Sequence, residues 1–241
     1  DLLLYLLYLM VIIIYLFFSG KIDVQTNQNF DPSSYIEKCT GDEVLKTIDV
    51  LLANGGVLNP KQTAMYMDKK YNYLCYADNL AEFCENKYPM LKNYVEGQIK
   101  EDTKSKIDLC FASLKSDAER RGYNIVDRGT SKYEVTLVPK SGIISIEREM
   151  TFTKGEQTLN LKNFEIRVRT PLYDLIEVAH DIVNDEADNC YTQYDVFIQN
   201  FPAISIFRTS YYGARIYELT DRVSEKVFRF AVRSCELRGS F

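Results

Sequence analysis

The chain has no tryptophan, a single histidine (His180) and no excess of basic residues: 29 Lys and Arg stand against 34 Asp and Glu, for a net charge of -5. One histidine excludes multi-His metal centres and removes the base from most triad chemistry. A nucleic-acid partner needs a concentrated cationic face, which this balance argues against. No C-x-x-C pair occurs, so zinc ribbons and thioredoxin-like redox motifs find no support. Asn-x-Ser/Thr signals, phosphate loops, dinucleotide fingerprints, G-x-S-x-G elbows and H-E-x-x-H pairs are equally missing. No enzyme, metal site or cofactor is therefore expected. Paired acids such as Asp185-Glu186 and Glu147/Glu149 read as water-facing carboxylates, and His180 as a rim residue beside a polar helix face.

What is present is a chain of 241 residues, 46% hydrophobic and 26% charged. That is enough for one large or two modest domains with real cores, and it excludes a disordered chain. The first line carries an unbroken apolar run from Leu2 to Phe18. At 1.5 Å per residue it reaches about 26 Å, just under a hydrocarbon core of roughly 30 Å. A helix apolar on every face over this length belongs in a membrane or in an all-apolar bundle. Tyr5, Tyr8 and Tyr15 are three and seven residues apart and fall on one side of it. With Leu2, Ile12 and Phe18 they make up a candidate assembly helix.

Six cysteines follow: Cys39, Cys75, Cys84, Cys110, Cys190 and Cys235. An even set outside an apolar segment reads as a disulfide framework in an oxidising space, with 15 full connectivities possible. Cys190 and Cys235 are expected partners. The first four then pair among themselves, with Cys75–Cys84 the shortest closure.

The overall reading is α+β. Residues 1–20 form the hydrophobic helix and 21–34 a polar linker. A helical, Cys-containing subdomain covers 35–122, and a sheet-rich subdomain with a packed helix covers 123–241. Asp31-Pro32 is a good helix start, and Asn54-Gly55-Gly56 stops that helix, with an interruption expected near Gly41-Asp42. Two aromatic-rich strands flank Asp68-Lys69-Lys70. A helical block is predicted from about 79 to 121, restarting near Pro89, then three antiparallel strands with a slip near Asn163. Leu172, Leu175, Ile176, Ala179, Ile182 and Val183 stripe a helix opened by Pro171. Strands follow over 204–207, 215–219 and 227–232. The count of 18 Tyr and 13 Phe is high, and Tyr211-Tyr212-Gly213 and the Tyr66 to Tyr76 segment are candidate contact surfaces.

The start at Asp1-Leu2, directly at the apolar run and ahead of a globular head, resembles processed archaeal type IV pilins. Bacterial pilins place Glu at the fifth position, where this chain has Tyr5. Cys39, Gly55-Gly56 and Tyr73-Leu74-Cys75-Tyr76 are similar to anchored surface proteins of small-genome archaea. The resemblance implies a structural subunit of an extracellular filament, its apolar helix polymerising with copies of itself after leaving the membrane. The alternative is a single-pass, membrane-anchored surface binding or adhesion protein. Both place the head outside the cell, where a cell-surface target is conceivable and no nucleic acid is expected.

Overall fold

A computed structural model of the chain describes residue 6, residues 8–10 and residues 30–235. The chain divides into two units, residues 1–31 and residues 32–241. In the first, Leu6, Tyr8, Leu9 and Met10 are helical and exposed. The rest of the proposed assembly helix (Leu2, Tyr5, Ile12, Tyr15 and Phe18) and most of the proposed linker lie outside the described residues. No helix among the described residues is long and apolar enough to cross a membrane.

The second unit opens where the sequence predicts, with α1 at Pro32–Ala53. This helix runs through Gly41 without interruption. The glycine is buried, and a Cβ built on it would meet Val168 at 3.5 Å, so its small size brings the helix close to a strand instead of breaking it. Gly55 and Gly56, at φ +62° and +81°, then end the helix, and the Gly56 amide bonds back to the Leu51 carbonyl at 2.8 Å. Of the helical block expected over 79–121, the part after the restart near Pro89 is helical and the part before it is not. Residues 77–90 form a loop containing the two-residue strand β3 (Glu85–Asn86), and α2 spans Leu91–Arg120. The Cys75–Cys84 bond pulls the loop back onto its neighbouring strand, which a helix at those positions would prevent.

α1 and α2 lie antiparallel. Cys39 early in α1 is bonded to Cys110 late in α2, while Thr47 donates to Asp102 nearer the start of α2 at 2.6 Å. α3 (Leu172–Asn189) buries the predicted stripe, and Cys190 closes it in the left-handed conformation while bonding to Cys235. A short α4 (Tyr194–Asn200), which the sequence pattern does not predict, leads into the last three strands. All three disulfides agree with the expected framework, their Cα–Cα distances being 5.9, 5.4 and 5.2 Å. Such a set belongs to an oxidising, extracellular-type compartment.

The helices form a layer that touches two sheets. On one side is a meander of β4 (Asn124–Val138), β5 (Ser141–Lys154) and β6 (Gln157–Arg169). The slip expected near Asn163 is present. Glu147 faces Asn163 and Met150 faces Leu161, so two residues of β5 oppose one of β6. One of them, Arg148, lies over the Phe111 ring at 4.4 Å and makes a two-point contact with Asp127 at 3.0 and 2.6 Å.

On the other side is a sheet ordered β1-β2-β9-β8-β7, with β3 pairing β2. Its strands are β1 (Thr63–Tyr66), β2 (Lys69–Tyr76), β7 (Ile204–Tyr211), β8 (Ala214–Asp221) and β9 (Val227–Arg233). All its neighbours are antiparallel except β2 and β9. Strands from the Cys-rich first half thus share a sheet with those of the second half, and residues 32–241 form one compact unit.

Candidate functional site

The sheet containing β9 has two kinds of face. Leu74, Tyr217, Leu219, Phe228, Phe230 and Val232 are fully buried, and this side lies against α1 and α3: a Cβ on Gly55 would touch the Phe230 side chain. The alternate residues form a second, smaller cluster of Ala64, Tyr71, Ala214, Ile216 and Ala231, against which Tyr66 and Tyr73 pack. Three alanines leave room for large rings to lie across the strands. The sheet curls enough for β1 to approach β8, two strands beyond its own partner β2.

That curl creates an aromatic seam. The Tyr66 ring lies edge-on to Tyr71 at 6.3 Å and to Tyr211 at 5.4 Å, and Tyr211 lies edge-on to Tyr212 at 4.5 Å. Edge-to-face contacts at these separations are the favoured aromatic geometry. The two tyrosine segments singled out in the sequence, 145 residues apart at Tyr66 and Tyr211, therefore meet. A second pair, Tyr73 and Tyr76 at 5.0 Å, stands beside Arg233, whose guanidinium is 5.8 Å from the Tyr76 ring. Tyr71 is buried at the base of the seam while Tyr212, on the β7–β8 turn, is 86% exposed. Gly213 takes φ +74° in that turn, and Leu80 would crowd any Cβ there at 3.1 Å. The turn is thereby held against the loop that the Cys75–Cys84 bond closes.

Charges bind the base of the seam. The Tyr71 hydroxyl donates to Glu218 at 2.7 Å, Arg229 Nε donates to the same carboxylate at 3.1 Å, and Lys69 Nζ is 3.6 Å away. Burial and the Glu218 carboxylate push the Tyr71 hydroxyl well above the usual phenol range. Partial burial opposes the charge on Glu218, but Tyr71, Lys69 and Arg229 outweigh it and hold the carboxyl below its ordinary value. Sequence reading misses Glu218, Arg229 and Arg233; alternation within the strands over 215–219 and 227–232 puts the first two on the face opposite the apolar core, and the observed strand continues one residue to Arg233.

A second polar group lies on the helix side of the same sheet. Glu186 is fully buried and accepts from the Tyr217 hydroxyl, while Arg215 Nη2 is 2.6 Å from its other oxygen. The expectation that Asp185-Glu186 face water is corrected at Glu186. It falls three and four residues after Val183 and Ile182, on the apolar stripe of α3. Burial and the Glu186 charge raise the Tyr217 hydroxyl far above the usual range. The group staples α3 to β8. Half-buried Asp185 stays off the apolar stripe; partial burial and the charges of Asp181 and Asp188 raise its carboxyl.

His180 sits at the rim, its Nε2 3.0 Å from the Pro89 carbonyl oxygen. Among the described residues no group of three or more His, Cys, Asp or Glu side chains is placed to hold a metal ion. No protein family, curated protein or solved structure matches the chain.

Proposed function

We propose that this chain is a surface protein whose disulfide-stapled head works outside a membrane, is tethered by the apolar run Leu2–Phe18, and engages a partner through the tyrosine seam. The seam carries the reading. Tyrosines supply large, rigid contact area with a polar tip and few rotors to immobilise, and with arginine they dominate the centres of recognition surfaces. Tyr66, Tyr211, Tyr212 and Arg233 bring those residue types together on a sheet framed by a disulfide loop. The role is binding, not catalysis. A membrane-impermeant amine label on intact cells should modify head lysines, and only detergent should release the chain. Beads carrying the full chain in nanodiscs should adhere to the source cells, and Tyr211→Ser/Tyr212→Ser should abolish adhesion while lowering Tm by only a few degrees, the loss of the ring contacts to Tyr66. Labelling only after lysis, or unchanged adhesion, would refute the reading.

The filament reading is favoured by a separate observation, the alignment of Tyr5, Tyr8 and Tyr15 along the apolar run. Packed runs from many copies would form a dry core stabilised by about 25 cal/mol per Å² of apolar surface removed from water. Shearing cells and pelleting without detergent separates the two. Filaments containing this chain, abolished by Ile12→Asp, establish the polymer; an empty pellet leaves the anchored protein.

A further inference from the structure

At the end of β8 opposite the Tyr212–Gly213 turn, four connections converge: the β4–β5 turn at Lys140, the β6–α3 junction at Arg169 to Pro171, the α4–β7 link at Asn200 to Ala203, and the β8–β9 turn at Val223 and Ser224. They line an open pocket of about 530 Å³ with predominantly apolar walls, including Pro171, Phe201, Pro202, Ala203, Ile204 and Val223. Its size lies within the range of small-molecule sites, and converging loops on a rigid scaffold are where such sites occur.

The polar groups on its rim are unequally engaged. Asp221 accepts from the Ser224 amide at 2.7 Å and its hydroxyl at 2.6 Å, shaping the β8–β9 turn. Asp174 accepts from the Lys140 backbone amide at 3.0 Å, and Thr170 accepts from the Leu172 amide at 3.2 Å. These acceptors are committed to holding the loops. The two cations are not: among the described residues neither the Lys140 ammonium nor the Arg169 guanidinium has an ion-pair partner within 4 Å. Two cations without ion-pair partners beside apolar walls suit a ligand with an apolar body and one anionic end. Guanidinium matches a carboxylate in a two-point fork, and an ammonium adds a point charge.

We infer that this pocket binds a small carboxylate with an aromatic or branched apolar body, its carboxylate held by Arg169 and Lys140 and its body against Phe201, Ile204 and Val223. The site lies about 23 Å along β8 from the tyrosine seam, at roughly 3.3 Å per residue, so it is independent of the seam.

The test uses the full chain in nanodiscs, with methyl-selective NMR of Ala203, Ile204 and Val223. The probes are 4-phenylbutyrate, 4-phenylbutanol and 4-phenylbutylamine, three ligands of one shape and three charges. The carboxylate should shift those methyls saturably, with the alcohol at least tenfold weaker and the amine inactive. Arg169→Gln/Lys140→Gln should weaken the carboxylate at least tenfold. Ala203→Phe should block it by filling the pocket. Both cations are on the rim, so the double variant keeps the fold even if Ala203→Phe does not. Equal affinity for the three probes, undiminished binding by the double variant, or shifts confined to other methyls would each overturn the inference.

Discussion

Replacing Glu186 with alanine tests the buried group between α3 and β8. The substitution leaves Arg215, which is 12% exposed at its side chain, without its counter-charge, and takes the acceptor from the buried Tyr217 hydroxyl. Removing one partner of a buried pair costs about 3–5 kcal/mol, because the other charge remains desolvated. For a unit of this size each kcal/mol lowers Tm by about 2–4 °C, so Glu186→Ala should melt about 6–20 °C below the parent. Glu186→Gln keeps an acceptor for Tyr217 and should fall between the two. The discriminating variant is Glu186→Leu/Arg215→Met, which removes both charges and keeps the volume. It should recover most of the Glu186→Ala loss, since paired burial of ions is itself expensive, and keep about 1–3 kcal/mol of it because the buried Tyr217 hydroxyl still lacks its acceptor. The assay is thermal and urea unfolding with the disulfides intact, followed by near- and far-UV circular dichroism. A Glu186→Ala cost under about 1 kcal/mol, or a double variant as damaged as the sum of its singles, would refute the argument.

Other predictions concern the disulfides, acid stability and the α1 terminus. Cys39–Cys110 spans 71 residues and Cys75–Cys84 only 9; by chain entropy their loss should cost about 4 and about 3 kcal/mol, and denaturation of the paired Cys→Ser variants should show that order. Asp127 is held below the usual carboxylate range chiefly by its hydrogen bond to Arg148, helped by the Gly129 amide and opposed by burial. A depressed folded pKa means its contribution is complete above the unfolded value near 3.9 and lost as pH falls towards the folded one. Asp127→Asn should therefore flatten the stability slope below about pH 4 and destabilise most near neutrality, and an unchanged acid limb would contradict this. A Cβ on Gly56 would stand 2.8 Å from Val95 at φ +81°, so Gly56→Ala should cost more than the roughly 1 kcal/mol of a left-handed alanine alone, measured by urea midpoint.

Elements with a strong local signal were legible. The stripe of α3, the Asp31-Pro32 start of α1, the three-strand meander and the Gly55-Gly56 stop follow from periodicity and backbone preference. Legibility failed where distant residues decide. The loop over 77–90 holds apolar residues at spacings that suit a helix, but the Cys75–Cys84 bond overrides them. Gly41 looks like a helix breaker until Val168 is placed against it. The seam was half legible: both tyrosine segments stand out, but their meeting depends on sheet curl, and Glu218, Arg229 and Arg233 gain meaning only from strand order. Glu186 could have been found from its place on the stripe.

The parallel pairing of β2 with β9 also governs how the chain can be made. β9 is the last strand in chain order yet occupies the middle of its sheet, between β2 and β8. Asn72 must therefore wait for Phe230, its register partner, before the two halves of the sheet join. Until then a growing chain presents two separate ribbons, β1-β2-β3 and β7-β8, each with an open hydrogen-bonding edge. Closing so long a loop is entropically slow. A chain stalled before Val227 lacks the keystone of the sheet, not its border, and offers those edges to other chains or to proteases. Completion of the sheet thus depends on a single late event, the arrival of β9 followed by closure of Cys190–Cys235.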